Sequence, residues 1–341
     1  MTADQPTMPI RARASAPSQA FLLGEHAVLY RQPALAASID VRSHVTVEVT
    51  PKSGVVEIES TAFESGLRAR LSGESSLVDV RGHPALEPLA RGIARFLGRQ
   101  VGRDVGLRVK IDSDVPVNSG MASSASVSAA LVAAASGALG LGLSREEILE
   151  ETYSFETIIH GKASKTGPAC AVLGGIIWIE WSDGGMSAEP LGEAPSLSFV
   201  MGITGKPSRT KEMIEKVAKL AEEVPAPHAK IVSAIGDLVR SGREALMSGD
   251  AAALGRLMNV NHGLLAALGV SSPELDLIVW AARSAGALGS KLSGAGGGGC
   301  AVSLSEEGAA ERIASAIEEC GFRSLLAPLA EEGVRIEEVV S

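Results

Sequence analysis

The sequence predicts an α+β fold in two domains, and three observations carry that reading. Strand patterns dominate the first part of the 341-residue chain, and helical periodicity dominates the second. The two kinds of pattern do not alternate as they would around a parallel barrel, and no internal repeat recurs. A polar, glycine-rich break, Ser182-Asp-Gly-Gly-Met-Ser187, separates the two parts. With 45% hydrophobic residues, a chain of this length can bury a large core without disulfides or metal staples. The expected division is a loose tail over 1–11, a first domain over 12–183 and a second over 184–341.

The elements follow in order. Residues 1–10 hold two prolines and no apolar run, so they read as a loose tail and not as a leader peptide. A short apolar strand at 21–23 runs into Gly24-Glu25-His26-Ala27-Val28. Strand patterns recur at 45–49, 55–58, 107–111 and 176–179. At 107–111, Leu107, Val109 and Ile111 alternate with Arg108 and Lys110, the signature of a half-buried strand. Helices are expected at 84–97, 125–139 and 145–159. Ser144 and Glu147 form a capping box at the start of the last. Ile148, Thr152, Phe155 and Ile159 share one face of that helix, with Glu156 beside it. In the second part, helical periodicity covers 211–222, 230–247, 251–268 and 273–285. Strands near Phe199, Leu292, Val302 and Val334 are expected to form a sheet behind these helices.

Composition removes several classes of function. A formal net charge of −9 argues against nucleic acid or an anionic membrane as partner. Only 3% of residues are aromatic, too few for a base-stacking surface. No apolar run approaches the roughly 18 residues of a membrane span. Cys170, Cys300 and Cys320 are odd in number and far apart, with neither metal spacing nor a disulfide framework. A reducing, cytoplasmic setting is expected.

Two loops of small residues stand out. The run Gly294-Ala-Gly-Gly-Gly-Gly299, entered through Lys291-Leu-Ser293, lies between apolar strand-like pieces and lacks the Ser/Gly repeat of a linker. Glycine costs about 0.5–1 kcal/mol per site in regular structure. Such a run therefore points to close approach of a ligand or of another element to the backbone. The second loop reads Asp114-Val-Pro-Val-Asn-Ser-Gly-Met-Ala-Ser-Ser-Ala-Ser126. It follows a strand and opens an alanine-rich helix, so unpaired helix N–H groups and a partial positive charge meet there, an arrangement that suits an anion. The loop is not a Walker A sequence, and no GxGxxG follows the first strand.

Gly24-Glu-His-Ala-Val28, the Pro116-x-x-Ser-Gly-x-x-Ser-Ser-Ala125 loop and Lys291-Leu-Ser-Gly-Ala-Gly-Gly-Gly-Gly-Cys300 together resemble the three signature motifs of the GHMP small-molecule kinases. Ile159-His-Gly161, Gly174-Gly175, Ser208-Arg-Thr-Lys211 and Leu257-Met-Asn-Val-Asn261 extend the resemblance. It runs essentially from Ser15 to Val339 and is strongest with the archaeal members that phosphorylate mevalonate. It implies a first domain like domain 2 of ribosomal protein S5, a ferredoxin-like second domain and an active site in the cleft between them. It further implies ATP as co-substrate, Mg²⁺ as cofactor, mevalonate or a close relative as acceptor, and a homodimer. Pro116, Asn118, Ser119, Gly120, Met121, Ala122, Ser123 and Ser124 would hold the nucleotide phosphates. Ser124 and Glu156 would hold the metal. Glu25, His26 and Thr210 would reach the acceptor or phosphate region. Gly294, Ala295, Gly296 and Gly297 would line the acceptor side of the cleft.

Two positions depart from the family pattern. Gln19 stands where the family places a lysine, and Gly167 stands where it places a catalytic aspartate. Asn118 and Ala122 also replace glycines of the phosphate loop. Lys162 and Lys165 are candidates to restore positive charge. Three readings therefore stay open. The chain phosphorylates mevalonate without a dedicated base; it acts on phosphomevalonate or on another hydroxyl of mevalonate; or it binds nucleotide without turnover.

Overall fold

The computed structural model describes residues 11–50, 54–72, 76–101, 105–161, 164–183, 185–192, 197–306 and 308–340. The expected tail therefore lies, but for Arg11, outside the described residues. The chain runs β1 (Arg11–Leu23), β2 (Ala34–Thr50), β3 (Val55–Ser60), β4 (Leu67–Ser72), β5 (Ser76–Gly82), α1 (Glu87–Gln100), β6 (Gly106–Ser113), α2 (Ser123–Leu139), α3 (Arg145–His160), α4 (Thr166–Leu173), β7 (Ile176–Ser182) and β8 (Gly185–Pro190). It continues through β9 (Ser198–Ile203), α5 (Thr210–Glu223), α6 (Pro225–Met247), α7 (Ala251–Ala267), α8 (Pro273–Ser284), β10 (Gly289–Ser293), β11 (Cys300–Ser305), α9 (Ala310–Glu319), β12 (Arg323–Pro328) and β13 (Arg335–Val340).

The strands form two sheets. The first has the order β13-β1-β2-β6-β3-β4-β5, with β7 and β8 attached through the start of β2; the second has the order β10-β11-β9-β12. The α+β expectation holds. Two details of the sequence reading do not. The strand near Val334 was expected behind the C-terminal helices, but β13 pairs antiparallel with β1, Arg11 opposite Val340. Buried Arg42 anchors this return by donating to the carbonyls of Glu332 and Gly333. The glycine-rich break at 182–187 is the turn of the β7–β8 hairpin, so the chain leaves the first sheet only after Pro190. The fourth strand of the second sheet is β12, whose Leu325-Leu326-Ala327 run is too short to show alternation.

Two elements set the position of the loops. Helix α2 is buried along most of its length, and its small side chains let β1 and β2 pack closely against it. The Ser126 hydroxyl ties its first turn to β1 by donating to Ala16 O at 2.7 Å. Helix α3 lies against α2 and opens with the expected capping box: Glu147 N–H donates to Ser144 Oγ, and Ser144 N–H donates to Glu147 Oε2. One hydrophobic core joins the two sheets, containing Leu22, Leu35 and Met121 from the first part and Met201, Leu292 and Val302 from the second. No helix among the described residues is long and apolar enough to cross a membrane.

Candidate active site

Three segments distant in sequence meet where β1, the N-terminus of α2 and the β10–β11 loop converge. The loop before α2 is bent by positive φ at Asn118 (60°), Gly120 (78°) and Ala122 (54°). Asn and Gly tolerate this region, but alanine pays about 1–2 kcal/mol there. Ala122 is the N-cap of α2 and offers no side-chain cap, so the first amides of the helix have no side chain to bond. A half-buried helix end left in that state is suited to an anion. The Ser119 hydroxyl is not free for such a ligand: it donates to Pro116 O at 2.7 Å and holds the turn.

Ser124, on the first turn of α2, donates to Glu156 Oε2 on α3 at 3.0 Å. His160 Nε2 lies 3.1 Å from the same hydroxyl. Glu156 is buried, and its Oε1 has no hydrogen-bonding partner among the described residues. Burial pushes its carboxyl up to about 7, against the opposing pull of the Ser124 and Ser128 hydroxyls. An unpaired buried carboxylate oxygen beside a hydroxyl is an incomplete set of hard oxygen donors. That suits Mg²⁺, which takes one or two carboxylates and completes its shell from water and substrate phosphates.

The glycine loop packs directly on the phosphate loop. A Cβ added at Gly294 would stand 3.4 Å from Gly120 O, and one at Gly299 would stand 3.0 Å from Ser119 O. The sequence reading left either a ligand or another element to approach this run, and put Gly294, Ala295, Gly296 and Gly297 on the acceptor side of the cleft. At Gly296 and Gly297 the structure corrects the second expectation, and at Gly298 too it is another element that approaches. A Cβ at Gly296 would fall 2.1 Å from Val270 O, one at Gly297 2.9 Å from Met213 Sδ, and one at Gly298 2.6 Å from Pro207 O. Gly297 N–H donates to Val270 O, and Gly299 N–H to Lys206 O. Most of the run is bare because the protein's own elements press on it. Gly294 and Ala295 are the half-buried residues at the start of the run, and Gly294 borders Gly120 O.

The first motif holds this loop from behind. His26 Nε2–H donates to Ala295 O at 2.8 Å; burial lowers the imidazole's pKa and keeps it neutral. Ser293 Oγ accepts from Phe21 N–H at 2.9 Å. Glu25 departs from its expected place. It is fully buried, pairs with Lys291 of β10, and accepts from Asn261 Nδ2 of α7 at 3.1 Å. It joins the two sheets and does not open toward an acceptor. Burial pushes Glu25 up and Lys291 down, and each partner's charge opposes the shift. Sequence reasoning gave Lys291 and Asn261 no role. The signal available was a lysine inside an otherwise apolar strand.

Gln19 and Gly167 do face each other, as a paired pattern requires: a Cβ at Gly167 would lie 3.9 Å from Gln19 Oε1 and 3.1 Å from Ala125 Cβ. Lys165 does not restore charge beside them. It is exposed, and its Nζ lies 5.9 Å from the centre of the Tyr153 ring. Lys162 lies outside the described residues. Thr210 starts α5, exposed, 3.4 Å from Ser208 Oγ; Ser208 in turn borders Gly120 and Gly299. A cavity of about 360 Å³ adjoins the outer side of the phosphate loop, between Pro116–Ser119 and Thr204–Pro207. A larger one, about 550 Å³, continues past Val115 and Val117 toward Asp40 and Thr61.

Comparison with known proteins places this geometry in context. The model of the GHMP kinases N terminal domain matches residues 88–175, and that of the GHMP kinases C terminal matches residues 243–322. The chain is 37% identical over 340 residues to the mevalonate kinase of Thermococcus onnurineus (strain NA1), covering 97% of this chain and 100% of that relative. It is 38% identical over 336 residues to the mevalonate kinase of Pyrococcus furiosus, covering 96% and 98%. The crystal structure of the Methanococcus jannaschii mevalonate kinase matches with a TM-score of 0.80 at 25% identity, covering 95% of this chain and 99% of that one. That of L. major mevalonate kinase in complex with R-mevalonate matches with a TM-score of 0.78 at 26% identity, covering 94% and 96%.

Proposed function

The chain belongs to the GHMP kinases, and from that premise we propose that it transfers the γ-phosphoryl group of ATP to mevalonate. The observation that carries the proposal is the uncapped N-terminus of α2 opening beside the Ser124–Glu156 pair, roofed by the glycine loop. Phosphoryl transfer is largely a matter of positioning and charge neutralisation, because the transition state is loose and its charge spreads over the equatorial oxygens. The first amides of α2 would bind the polyphosphate, aided by the helix dipole. The Ser124 hydroxyl and the Glu156 carboxylate would hold Mg²⁺, which supplies charge neutralisation between the phosphates. The Val117 side chain, 51% exposed at the mouth of the 550 Å³ cavity, offers apolar surface to the nucleoside. Thr210 would hold the acceptor, with Gly294 and Ala295 closing the cleft. The reading includes a homodimer, as the family resemblance implies, and a cytoplasmic location, as the scattered cysteines suggest.

One observation weighs against phosphomevalonate as acceptor. A phosphate-bearing acceptor needs unengaged cations, yet among the described residues Lys206 pairs with Glu274, Arg209 with Glu212, and Lys165 lies over Tyr153; Lys162 lies outside the described residues. The test is product analysis. Incubation with Mg-ATP and mevalonate is expected to give phosphomevalonate and ADP in equal amounts by mass spectrometry. Tight nucleotide binding with no product from mevalonate would overturn the proposal.

A further inference from the structure

Gln19 carries no role in the site described so far, and its surroundings call for one. The residue is 8% exposed, and its Oε1 has no hydrogen-bonding partner among the described residues. An unsatisfied buried polar atom costs about 1–3 kcal/mol, and an apolar side chain of the same shape would avoid that cost. The position is well defined. Gln19 sits on β1, and its own N–H donates to Met121 O at 3.0 Å, which locks it to the phosphate loop one residue before the α2 N-cap. A Cβ built at Gly167 would lie 3.9 Å from Gln19 Oε1, 3.4 Å from Ala122 Cβ and 3.1 Å from Ala125 Cβ, and none of Gly167, Ala122 and Ala125 has a side chain that can hydrogen-bond the carboxamide. Residue 167 has no side chain to bond the carboxamide, which is left unsatisfied in a tight, buried niche beside the helix end that would receive the phosphates.

We propose that the Gln19 carboxamide orients the attacking hydroxyl of the acceptor. The proposal rests on the phosphoryl-transfer reading above. A carboxamide has an oxygen that accepts from the hydroxyl and an NH₂ that donates to an oxygen of the transferred group. A glutamine can thus aim a nucleophile without taking its proton, as a glutamine aims the attacking water in some nucleotide hydrolases. In the step, the acceptor oxygen forms a bond to the γ-phosphorus, and the bond from that phosphorus to the β,γ-bridging oxygen breaks, releasing ADP. The hydroxyl proton passes to an oxygen of the transferred phosphoryl group and then to water. Gln19 is unchanged at the end.

The test compares wild type with Gln19→Leu and Gln19→Asn, reading kcat, KM for ATP and melting temperature with mevalonate as acceptor. Gln19→Leu is expected to lower kcat by roughly 10²-fold, the scale of a misaimed reactant, with KM for ATP and the melting temperature little changed. Gln19→Asn keeps the amide but withdraws it by one methylene, so a smaller fall in kcat is expected. It also serves as the readout if the leucine variant fails to fold. A variant with the wild-type kcat would overturn the role of Gln19. So would a loss of kcat that tracks a matching rise in KM for ATP and a lower melting temperature. A wild type inactive on mevalonate overturns instead the functional reading on which the proposal rests.

Discussion

The two loops of small residues look alike in sequence and differ in what covers them. In the β10–β11 loop, the space beside Gly296, Gly297 and Gly298 is taken by Val270 O, Met213 Sδ and Pro207 O. In the loop before α2, a Cβ at Gly120 would meet only ordinary contacts, 3.7 Å from Ser293 O and 3.8 Å from Ser208 Cβ. The helix end that follows has no side-chain cap. Bare backbone thus serves two ends: self-packing that fixes a wall, and an open donor array. The first belongs to stability; the second is the proposed place of ligand binding.

The largest expected effect breaks the support behind the packed loop. Lys291→Met leaves Glu25 buried without its cation and should cost about 3–5 kcal/mol, read by denaturant unfolding. Glycine substitutions should then separate the two loops. Gly296→Ala forces a Cβ onto Val270 O at a φ of 83°, and should cost about 2–4 kcal/mol from overpacking and left-handed strain together. Gly120→Ala meets no clash and should cost about 1–2 kcal/mol, from its φ of 78° alone. Its main effect should be weaker binding of Mg-ATP, read by calorimetry. Equal stability costs with no change in nucleotide affinity would erase the distinction.

Titration sharpens the open side of the comparison. The Glu156 carboxyl stands at about 7 in the fold against an ordinary 4.5, so the metal-free fold holds this proton more tightly than the unfolded chain does. Its contribution is therefore full below pH 4.5 and lost as pH rises through 7, by at most about 3 kcal/mol. Unfolding of metal-free protein across this range should show that slope, and Glu156→Gln should flatten it. The smallest effect concerns strain. Ala122→Gly relieves a φ of 54° worth about 1–2 kcal/mol but adds unfolded-state entropy of about 0.5–1 kcal/mol, for a net gain of about 0–1.5 kcal/mol. A lower melting temperature for this variant would mean that the loop carries no strain at 122.

Much of this was legible in the sequence because it is local. An anion-suited loop before α2, the α3 capping box and the position of Glu156 beside an apolar helical face follow from periodicity and turn chemistry within one segment, whereas the pairing of Ser124 with Glu156 came from the family resemblance. Ser124 and Glu156 do meet, at 3.0 Å. What escaped is long-range. Glu25 and Lys291 lie 266 positions apart, and no pattern within either segment names the other. The carbonyls pressing on Gly296 and Gly298 come from loops whose sequences carry no sign of that contact. Lys165 shows the same limit in another form: a sequence displays a charge but not the direction in which a flexible stem carries it. The place of β13 was likewise hidden, because a free edge of β1 leaves no mark on the last strand.

Backbone hydrogen exchange, with and without a Mg-bound non-hydrolysable ATP analogue, tests the central contrast most directly. The account predicts that the nucleotide slows exchange across 119–125 and leaves the already engaged amides of Gly297 and Gly299 unchanged. Protection confined to 296–299, with 119–125 exchanging as before, would contradict it.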